Sequence, residues 1–426
     1  MSCKVNVDSL PWEIRQKIND ELKIKLEDNK YAIGVPARYI FPYTMEGDDI
    51  FLPFAYSYRQ LKLNRPSRDN FPVMSVEFTG VLRPEQKIVR KEALDLLSKK
   101  GSVMISCFTG FGKTLGAINL SCSIGLKTLV IVNKIILMKQ WESSIMKFCP
   151  EAKVQKLTTK SRMEEADFYI MNAINIAKMG KNFFIEIGLV IIDEAHLIMA
   201  ETLSKSLQYL YPRYLIGLTA TPYRPDGLDA LLDLYFGKHK IIRKLHKVHT
   251  AYRVETGFIP TVELAKNGRV NWGVVLDTQA NDIKRNELIL RIIQHFSERT
   301  FLILTKRISQ GNYLVNRLRE LGEDVTSLIG SQQEFEVTSR ILVGTSSKVG
   351  VGFDHPSLDT LLLAGDLEEY FIQYMGRCCR TQEVQPIIFD LVDKNAILEK
   401  HFRTRKSVYL EHGGTVKNFD MSILNN

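Results

Sequence analysis

Short apolar runs alternate with amphipathic segments from residue 78 onward, and the runs form two series. They are β-branched or apolar throughout, which is typical of parallel strands covered by helices on both faces. The first series comprises Val103–Cys107, Thr128–Val132, Phe168–Met171, Leu189–Ile192 and Tyr214–Leu218. The second comprises Arg299–Thr305, Asp324–Ile329, Arg340–Gly344, Thr360–Ala364 and Pro386–Leu391. Helical patterns lie between the runs, so the sequence predicts an α/β protein with two parallel-sheet domains in tandem.

The same pattern suggests where the domains begin and end. We predict α/β domains over residues 79–245 and 246–426, with a polar, irregular connection from about His246 to Arg285. Residues 1–78 differ, because they hold a predicted amphipathic helix, Pro11–Leu26, and an aromatic, proline-containing segment, Tyr39–Tyr58. We expect these residues to form a small accessory domain whose role the sequence does not reveal.

Composition places the chain among ordinary globular proteins. Of its 426 residues, 45% are hydrophobic and 25% charged, and no apolar run approaches the roughly 18 residues of a membrane span. The first residues, MSCKVNVDSLPWEIRQ, lack the apolar segment of a secretory signal. The six cysteines form no CxxC pair. We therefore expect a soluble, intracellular protein with reduced thiols and no membrane partner.

The net charge of +9 is unevenly distributed. Residues 79–245 carry 24 basic and 15 acidic side chains, whereas residues 1–78 carry 11 of each and residues 246–426 carry 22 of each. Lysine and arginine displace counterions from a phosphate backbone, so the excess suits a nucleic-acid partner. A well-solvated basic surface is the alternative that charge alone leaves open.

A glycine-rich loop follows the first predicted strand and leads into a helical segment, Leu115 to Cys122. It consists of Cys107, Phe108, Thr109, Gly110, Phe111, Gly112, Lys113 and Thr114. Glycines let backbone N–H groups converge on phosphates, the lysine supplies a positive charge, and the threonine hydroxyl can ligate Mg²⁺. Cys107 stands where Gly or Ala is usual. The arrangement predicts a nucleotide-binding loop.

Two acids follow the apolar strand Leu189–Ile192, namely Asp193 and Glu194. A phosphate-binding loop needs a carboxylate to hold magnesium and another to orient water, and the carboxyl end of a neighbouring strand is a suitable place for both. Acids that begin a helix can also serve only to complement its dipole. Their occurrence after a glycine-rich loop favours the catalytic interpretation.

Four segments resemble, in chain order, motifs I, II, III and VI of superfamily 2 helicases of the DEAH type. They are Phe108 to Thr114, Asp193-Glu194-Ala195-His196, Leu218-Thr219-Ala220-Thr221-Pro222 and Gln373-Tyr374-Met375-Gly376-Arg377-Cys378-Cys379-Arg380. Thr221-Pro222-Tyr223-Arg224-Pro225-Asp226-Gly227 is similar to the Arg-x-Asp element of the XPB-like and UvsW-like branch. Gly350-Val351-Gly352-Phe353-Asp354-His355-Pro356-Ser357-Leu358-Asp359 resembles helicases of large DNA viruses, including the poxvirus transcript-release group.

The resemblance implies two tandem RecA-like domains that bind ATP and Mg²⁺. It implies that Arg83 and Gln86 bind adenine and that the loop binds the phosphates. Thr114 and Asp193 would hold magnesium, and Glu194 would orient the attacking water. On the second domain, Gln373, Arg377 and Arg380 are implied catalytic residues, and Gly352 and Asp354 are implied nucleotide contacts. Coupling of the site to nucleic acid is implied for His196, Thr219, Thr221, Arg224 and Asp226.

Contacts with the nucleic-acid backbone are expected from segments that look like motifs Ia, IV and V. The candidate residues are Asn133, Lys134, Thr305, Lys306, Arg307 and Thr345. Backbone contacts fix register without reading bases, so binding independent of sequence is expected. Ordinary surface lysines are the alternative for Lys134 and Lys306.

Three functional hypotheses remain open. The first is an ATP-driven DNA helicase, moving 3′ to 5′ as the XPB-like branch implies. The second is a duplex translocase or branch-remodelling ATPase without processive unwinding, and the third is a nucleotide-switched clamp. RNA is the less favoured substrate. We expect the protein to be a monomer and to work with transcription, replication or repair machinery.

Overall fold

The computed structural model describes residues 2–25, 39–180, 182–198, 208–221, 229–265, 270–332, 334–349, 355, 357–367, 371–378 and 384–425. The chain divides into two compact units, Met1–Arg243 (unit 1) and Lys244–Asn426 (unit 2). Each unit contains a seven-stranded parallel sheet, which confirms the predicted α/β class. None of the described helices is long and apolar enough to cross a membrane.

Unit 1 contains the following described elements. The strands are β1 (Ser2–Asn6), β2 (Ile24–Lys25), β3 (Tyr39–Ile40), β4 (Thr44–Glu46), β5 (Asp49–Pro53), β6 (Ser102–Cys107), β7 (Thr128–Val132), β8 (Val154–Leu157), β9 (Phe168–Asn172), β10 (Leu189–Ile192), β11 (Tyr214–Thr219) and β12 (Lys240–Arg243). The α-helices are α1 (Trp12–Glu21), α2 (Pro84–Lys100), α3 (Lys113–Ile124), α4 (Ile135–Phe148), α5 (Ala173–Ile176), α6 (Ala195–Ile198) and α7 (Asp229–Phe236). A π-helical turn covers Tyr56–Gln60, and 3-10 turns cover Val7–Ser9 and Arg68–Asn70.

The large sheet of unit 1 has the order β12-β6-β11-β10-β7-β9-β8, and every neighbouring pair is parallel. Its central strands are fully buried, as their apolar composition predicts. Because parallel strands end at one edge, the segments that follow β6, β7, β10 and β11 are brought together there. The five strands predicted for this unit are all present, and β8 and β12 are additional.

The N-terminal residues are part of unit 1. Strands β1, β5 and β4 form a small antiparallel sheet, and helix α1 ends at Glu21, earlier than predicted. Their apolar core contacts Leu234 of α7. Ile40 and Phe54 are buried in the main core of unit 1. The division of the chain at residue 78 stays a prediction, and the structure shows an apolar core that is continuous across it.

Unit 2 contains the following described elements. The strands are β13 (His249–Glu255), β14 (Phe301–Thr305), β15 (Val325–Leu328), β16 (Ile341–Thr345), β17 (Thr360–Leu363), β18 (Ile387–Val392) and β19 (Gly414–Asn418). The α-helices are α8 (Trp272–Asn281), α9 (Ile283–His295), α10 (Ile308–Glu320), α11 (Ser346–Val349), α12 (Phe371–Cys378) and α13 (Ala396–Glu411), and a 3-10 turn covers Met421–Asn425. The sheet order is β15-β16-β14-β17-β18-β13-β19, again all parallel.

The expectation of an irregular connection from His246 to Arg285 is wrong. That stretch contains strand β13, helix α8 and the start of α9. Strand β13 mixes polar and apolar residues, and its partners, β18 and β19, come far later in the chain. Its strand character therefore depends on distant pairing, which a local pattern does not show.

A buried carboxylate ties several elements of unit 2 together. Asp393, just after β18, accepts hydrogen bonds from Arg285 Nε at 2.9 Å, Gln279 Nε2 at 2.5 Å and Thr256 Oγ1 at 2.5 Å. The side chains of Arg285 and Asp393 are both fully buried. This pair joins α8, α9 and the ends of β13 and β18 at one point.

Loss of one partner of this ion pair is expected to be costly, because the other would remain buried and charged. We expect Asp393→Ala to lower the free energy of unfolding by about 3 to 5 kcal/mol. The matched control is Asp277→Ala, whose partner Arg307 is at the surface and whose loss should cost less than about 1 kcal/mol. Chemical denaturation followed by circular dichroism measures both, and equal costs would contradict the structural role given to Asp393.

Candidate functional site

The glycine-rich loop takes a backbone shape that two of its glycines make possible. Gly110 has φ 89° and Gly112 has φ 88°, in the left-handed region that costs glycine little. Gly112 is the N-cap of α3, and no side chain among the described residues caps that helix. The first N–H groups of α3 are thus oriented as in phosphate-binding loops.

Two side chains from the start of α2 brace the loop from outside. Gln86 accepts a hydrogen bond from the backbone N–H of Arg83 at 2.8 Å, and its Nε2 donates to the carbonyl of Phe111 at 2.7 Å. The Arg83 guanidinium donates to the carbonyls of Gly110 and Phe111. Gln86 is almost fully buried, so these residues fix the loop carbonyls, and their contact with adenine stays a prediction.

Lys113 lies inside the loop that it terminates. Its Nζ donates to the carbonyls of Cys107 at 2.9 Å and Phe108 at 3.4 Å. Burial raises the pKa of the Cys107 thiol to about 11, although Lys113 and Arg243 oppose the shift. Cys107 therefore remains a neutral, packed thiol at physiological pH, and only its backbone is suited to a phosphate contact.

Asp193 is held at the end of β10 by two hydrogen bonds. Its Oδ2 accepts from Trp141 Nε1 at 2.8 Å, and its Oδ1 accepts from the backbone N–H of Glu194 at 3.0 Å. Burial raises the pKa of this carboxyl, while the Trp141 hydrogen bond and the Lys113 ammonium lower it in part. A buried, oriented carboxylate beside a phosphate-binding loop fits a magnesium ligand. Thr114 is the second residue of α3, and its share in holding the ion stays a prediction.

Glu194 begins a polar chain that reaches the next strand of the sheet. Its backbone has φ 49°, an unusual value for a non-glycine residue. Its Oε2 lies 3.5 Å from His196 Nδ1, and this nitrogen lies 2.8 Å from the hydroxyl of Thr219. The same hydroxyl donates to the carbonyl of Thr221 at 2.9 Å and accepts from its N–H at 3.0 Å. Thus the second acid is linked to the segment that follows β11.

Candidate nucleic-acid residues lie at the carboxyl edges of both sheets. In unit 1, Asn133 follows β7 and Lys134 is the N-cap of α4. In unit 2, Thr305 and Thr345 end the adjacent strands β14 and β16 and are opposite each other in register. Arg307 is engaged with Asp277 at 2.6 Å. Nucleic-acid contacts by these residues, and by Lys306, stay predictions.

The remaining site predictions concern unit 2 and the end of unit 1. Gln373 and Arg377 lie on α12, where Arg377 is largely buried. The following predicted residues lie outside the described part of the chain: Arg224, Asp226, Gly352, Asp354 and Arg380. The catalytic roles given to the helix α12 residues therefore stay predictions.

Sequence reasoning did not assign a role to Trp141. Trp141 lies on α4, and its side chain is almost completely buried. Its indole N–H donates to Asp193, the candidate magnesium ligand. A tryptophan in an amphipathic helix ordinarily indicates core packing. Only the position of α4 beside the end of β10 shows that its polar atom faces the acid.

Comparisons with known proteins identify relatives of the chain and structures that share its fold. A family described as "Type III restriction enzyme, res subunit" matches residues 79–224. The candidate helicase 161L of Invertebrate iridescent virus 6 is 44% identical over 99% of this chain and 100% of its own length. The candidate helicase 055L of Frog virus 3 is 31% identical over 87% of this chain and 86% of its own. The solved structure of S. cerevisiae Dbp5 bound to RNA and ADP BeF3 is similar with a TM-score of 0.56, at 13% identity, covering 79% of this chain and 94% of that one.

The raised pKa of Asp193 predicts an unusual effect of its replacement. Its neutral form is favoured in the folded state, so ionisation lowers stability progressively as pH rises from the ordinary pKa of 3.8 through the folded value. Asp193→Asn removes this titration, so its stability relative to the wild type should increase as pH rises in the absence of metal, while nucleotide hydrolysis falls at least about 10²-fold.

Thermal melting between pH 5 and 8, with and without Mg²⁺ and ATP, measures this effect. Asp95→Asn is the control, since Asp95 pairs with Lys99 at the surface and should show no such gain. A stability difference between Asp193→Asn and the wild type that does not change with pH would show that the Asp193 carboxylate is fully compensated in the protein.

Proposed function

Because the chain belongs to the helicase family of large DNA viruses that includes 161L of Invertebrate iridescent virus 6, we propose that it is an ATP-dependent DNA helicase or translocase of superfamily 2. The observation that carries the proposal is the braced glycine loop of β6 beside the oriented acids after β10. The Arg-x-Asp element supports the XPB-like branch, DNA as substrate and 3′ to 5′ movement. Since its relatives are viral proteins, we propose that it acts on nucleic acid in the infected cell.

The residues of unit 1 suggest how the nucleotide is handled. Backbone N–H groups of the loop and Lys113 bind the phosphates of ATP, and Thr114 and Asp193 hold Mg²⁺. Magnesium supplies charge neutralisation at the β- and γ-phosphates. Glu194 orients the attacking water, and Trp141 keeps the Asp193 carboxylate in one orientation.

The polar chain from Glu194 suggests how hydrolysis is coupled to movement. Since His196 contacts both the acid and Thr219, a shift of the segment after β11 changes the position of Glu194. Nucleic acid that contacts this edge of the sheet would thereby adjust the water-orienting group. This arrangement favours a motor, because a nucleotide-switched clamp does not need stimulated hydrolysis.

An RNA helicase is the second candidate. Dbp5, whose fold the chain shares, is bound to RNA in its solved structure, and the contacts proposed here are made to a backbone that both nucleic acids possess. A duplex translocase that remodels branches would use the same site. The kind of nucleic acid that stimulates ATP hydrolysis distinguishes the DNA helicase, the RNA helicase and the duplex translocase.

Steady-state ATP hydrolysis should be measured with single-stranded DNA, duplex DNA, forked DNA and RNA. We expect stimulation by DNA, and Glu194→Gln should reduce turnover by about 10² to 10⁴-fold while ATP and DNA still bind. Glu151→Gln, at an exposed position, is the control and should hydrolyse at the normal rate. Stimulation by RNA alone would assign the second candidate, and normal turnover in Glu194→Gln would remove its role.

Thr219→Val tests the coupling chain. Valine keeps the volume of threonine and removes the hydroxyl that contacts His196 and Thr221. We expect basal hydrolysis and ATP affinity within about twofold of the wild type, but at least about tenfold less stimulation by DNA. The control is Thr128→Val, a buried threonine of β7 whose hydroxyl donates to the Leu126 carbonyl. Equal stimulation in both variants would exclude coupling through Thr219.

A further inference from the structure

A basic cavity lies at the amino edge of the large sheet of unit 1, opposite the edge that carries the glycine loop. Its volume is about 800 Å³. The walls come from residues 55–65, the end of α2, the start of β11 and the segment after α7. Its basic lining includes Arg59, Arg65, Lys99, Lys100, Arg213 and Lys238, against one carboxylate, that of Asp233. Asp233 is already paired with Lys240 at 3.2 Å.

Arg59 is fixed in the cavity wall by neutral groups. Its guanidinium donates to the carbonyl of Ser102 at 2.6 Å and to the hydroxyl of Ser102 at 2.9 Å. Its Nε is buried and has no hydrogen-bond partner among the described residues. Gly237, with φ 87°, lies directly against the guanidinium, and a Cβ at that position would collide with it. The chain thus leaves room for this arginine.

Two further arginines flank one aromatic ring. Arg65 and Arg213 lie 5.7 Å and 5.5 Å from the ring centroid of Tyr214. Arg65 also donates to the carbonyls of Leu97 and Ser98 at the end of α2. Burial and the nearby charge of Arg213 lower the pKa of Arg65. The like charges are therefore close enough to repel each other.

Lys99 pairs with Asp95, but the three arginines are not compensated by a carboxylate of the described chain. Among the described residues, no ion pair joins Arg59, Arg65 or Arg213 to a carboxylate. Their N–H groups donate to neutral oxygen atoms, which leave the positive charges without a counterion. The arginines could serve merely to cap α2 and anchor the N-terminal segment. That purpose does not account for Lys100 and Lys238, which make no hydrogen bond or ion pair within the described chain and add charge to the same cavity.

We propose that this cavity is a second phosphate-binding site, and that the phosphates of a nucleic-acid strand occupy it. Three guanidinium groups held apart by carbonyls and a tyrosine ring form a fixed set of donors for phosphate oxygens. The site is separate from the nucleotide loop, because β6 runs from Ser102 at the cavity to Cys107 at the loop, a length of about 17 Å. Only the source of the phosphate rests on the proposed function.

The first experiment uses pyrophosphate as the probe. In a Lys113→Ala background, which weakens the nucleotide loop, calorimetry should still detect pyrophosphate binding. Adding Lys100→Gln with Lys238→Gln should weaken this binding at least tenfold, and Arg59→Gln should have a similar effect. The control pair, Lys91→Gln with Lys400→Gln, removes the same charge from exposed positions and should leave affinity unchanged. Equal pyrophosphate affinity in cavity and control variants would overturn the site.

The second experiment uses a fluorescent single-stranded DNA of 20 nucleotides and an otherwise wild-type chain. The slope of log affinity against log salt should fall by about 1.4 in Lys100→Gln with Lys238→Gln, since each lost phosphate contact on a single strand contributes about 0.7. An unchanged slope together with weakened pyrophosphate binding would assign the cavity to a free phosphate compound. It would overturn the proposal that a nucleic-acid strand occupies the cavity. Failure of DNA to stimulate hydrolysis in the wild type would contradict the proposed function and leave the pyrophosphate result standing.

Discussion

A carboxylate buried at the end of a parallel strand must be compensated by hydrogen bonds or opposite charge, and each of the two sheets contains one. In unit 2, Asp393 is compensated fully, because Arg285 neutralises it and neutral donors bind its remaining lone pairs. In unit 1, Asp193 receives two neutral hydrogen bonds and only the partial influence of Lys113. The first carboxylate therefore holds its unit together, and the second keeps an unmet demand for positive charge that suits the proposed magnesium site.

The shape of the nucleotide loop depends on contacts outside the loop. Its carbonyls are bound by Arg83 and Gln86 from one side and by Lys113 from the other. With several carbonyls already engaged, the loop is preorganised before any ligand arrives. Preorganised N–H groups contribute more to binding and catalysis than groups that must first reorient.

Much of this arrangement could be predicted from the sequence, because strands buried on both faces are continuous apolar runs and the loop has a fixed pattern of glycines. Strand β13 could not be predicted, since its partners are distant in the chain and four of its seven residues are polar or charged. The contact of Trp141 with Asp193 also depends on how α4 packs. The same holds for Arg59 and Gly237, whose complementary shapes appear only after residues from distant segments meet.

The segment that the family model matches is shorter than the segment that unit 1 needs to complete its core. The family match begins at residue 79, and from it one would infer a module that evolution can move as a whole. Yet Ile40 and Phe54 fill the core of unit 1, and Arg59 binds the first residue of β6. A recombination event that transferred only the matched segment would leave a gap in the core and unpaired carbonyls at the amino edge of the sheet. The smallest segment that can fold after such a transfer is therefore larger than the segment that the family model matches.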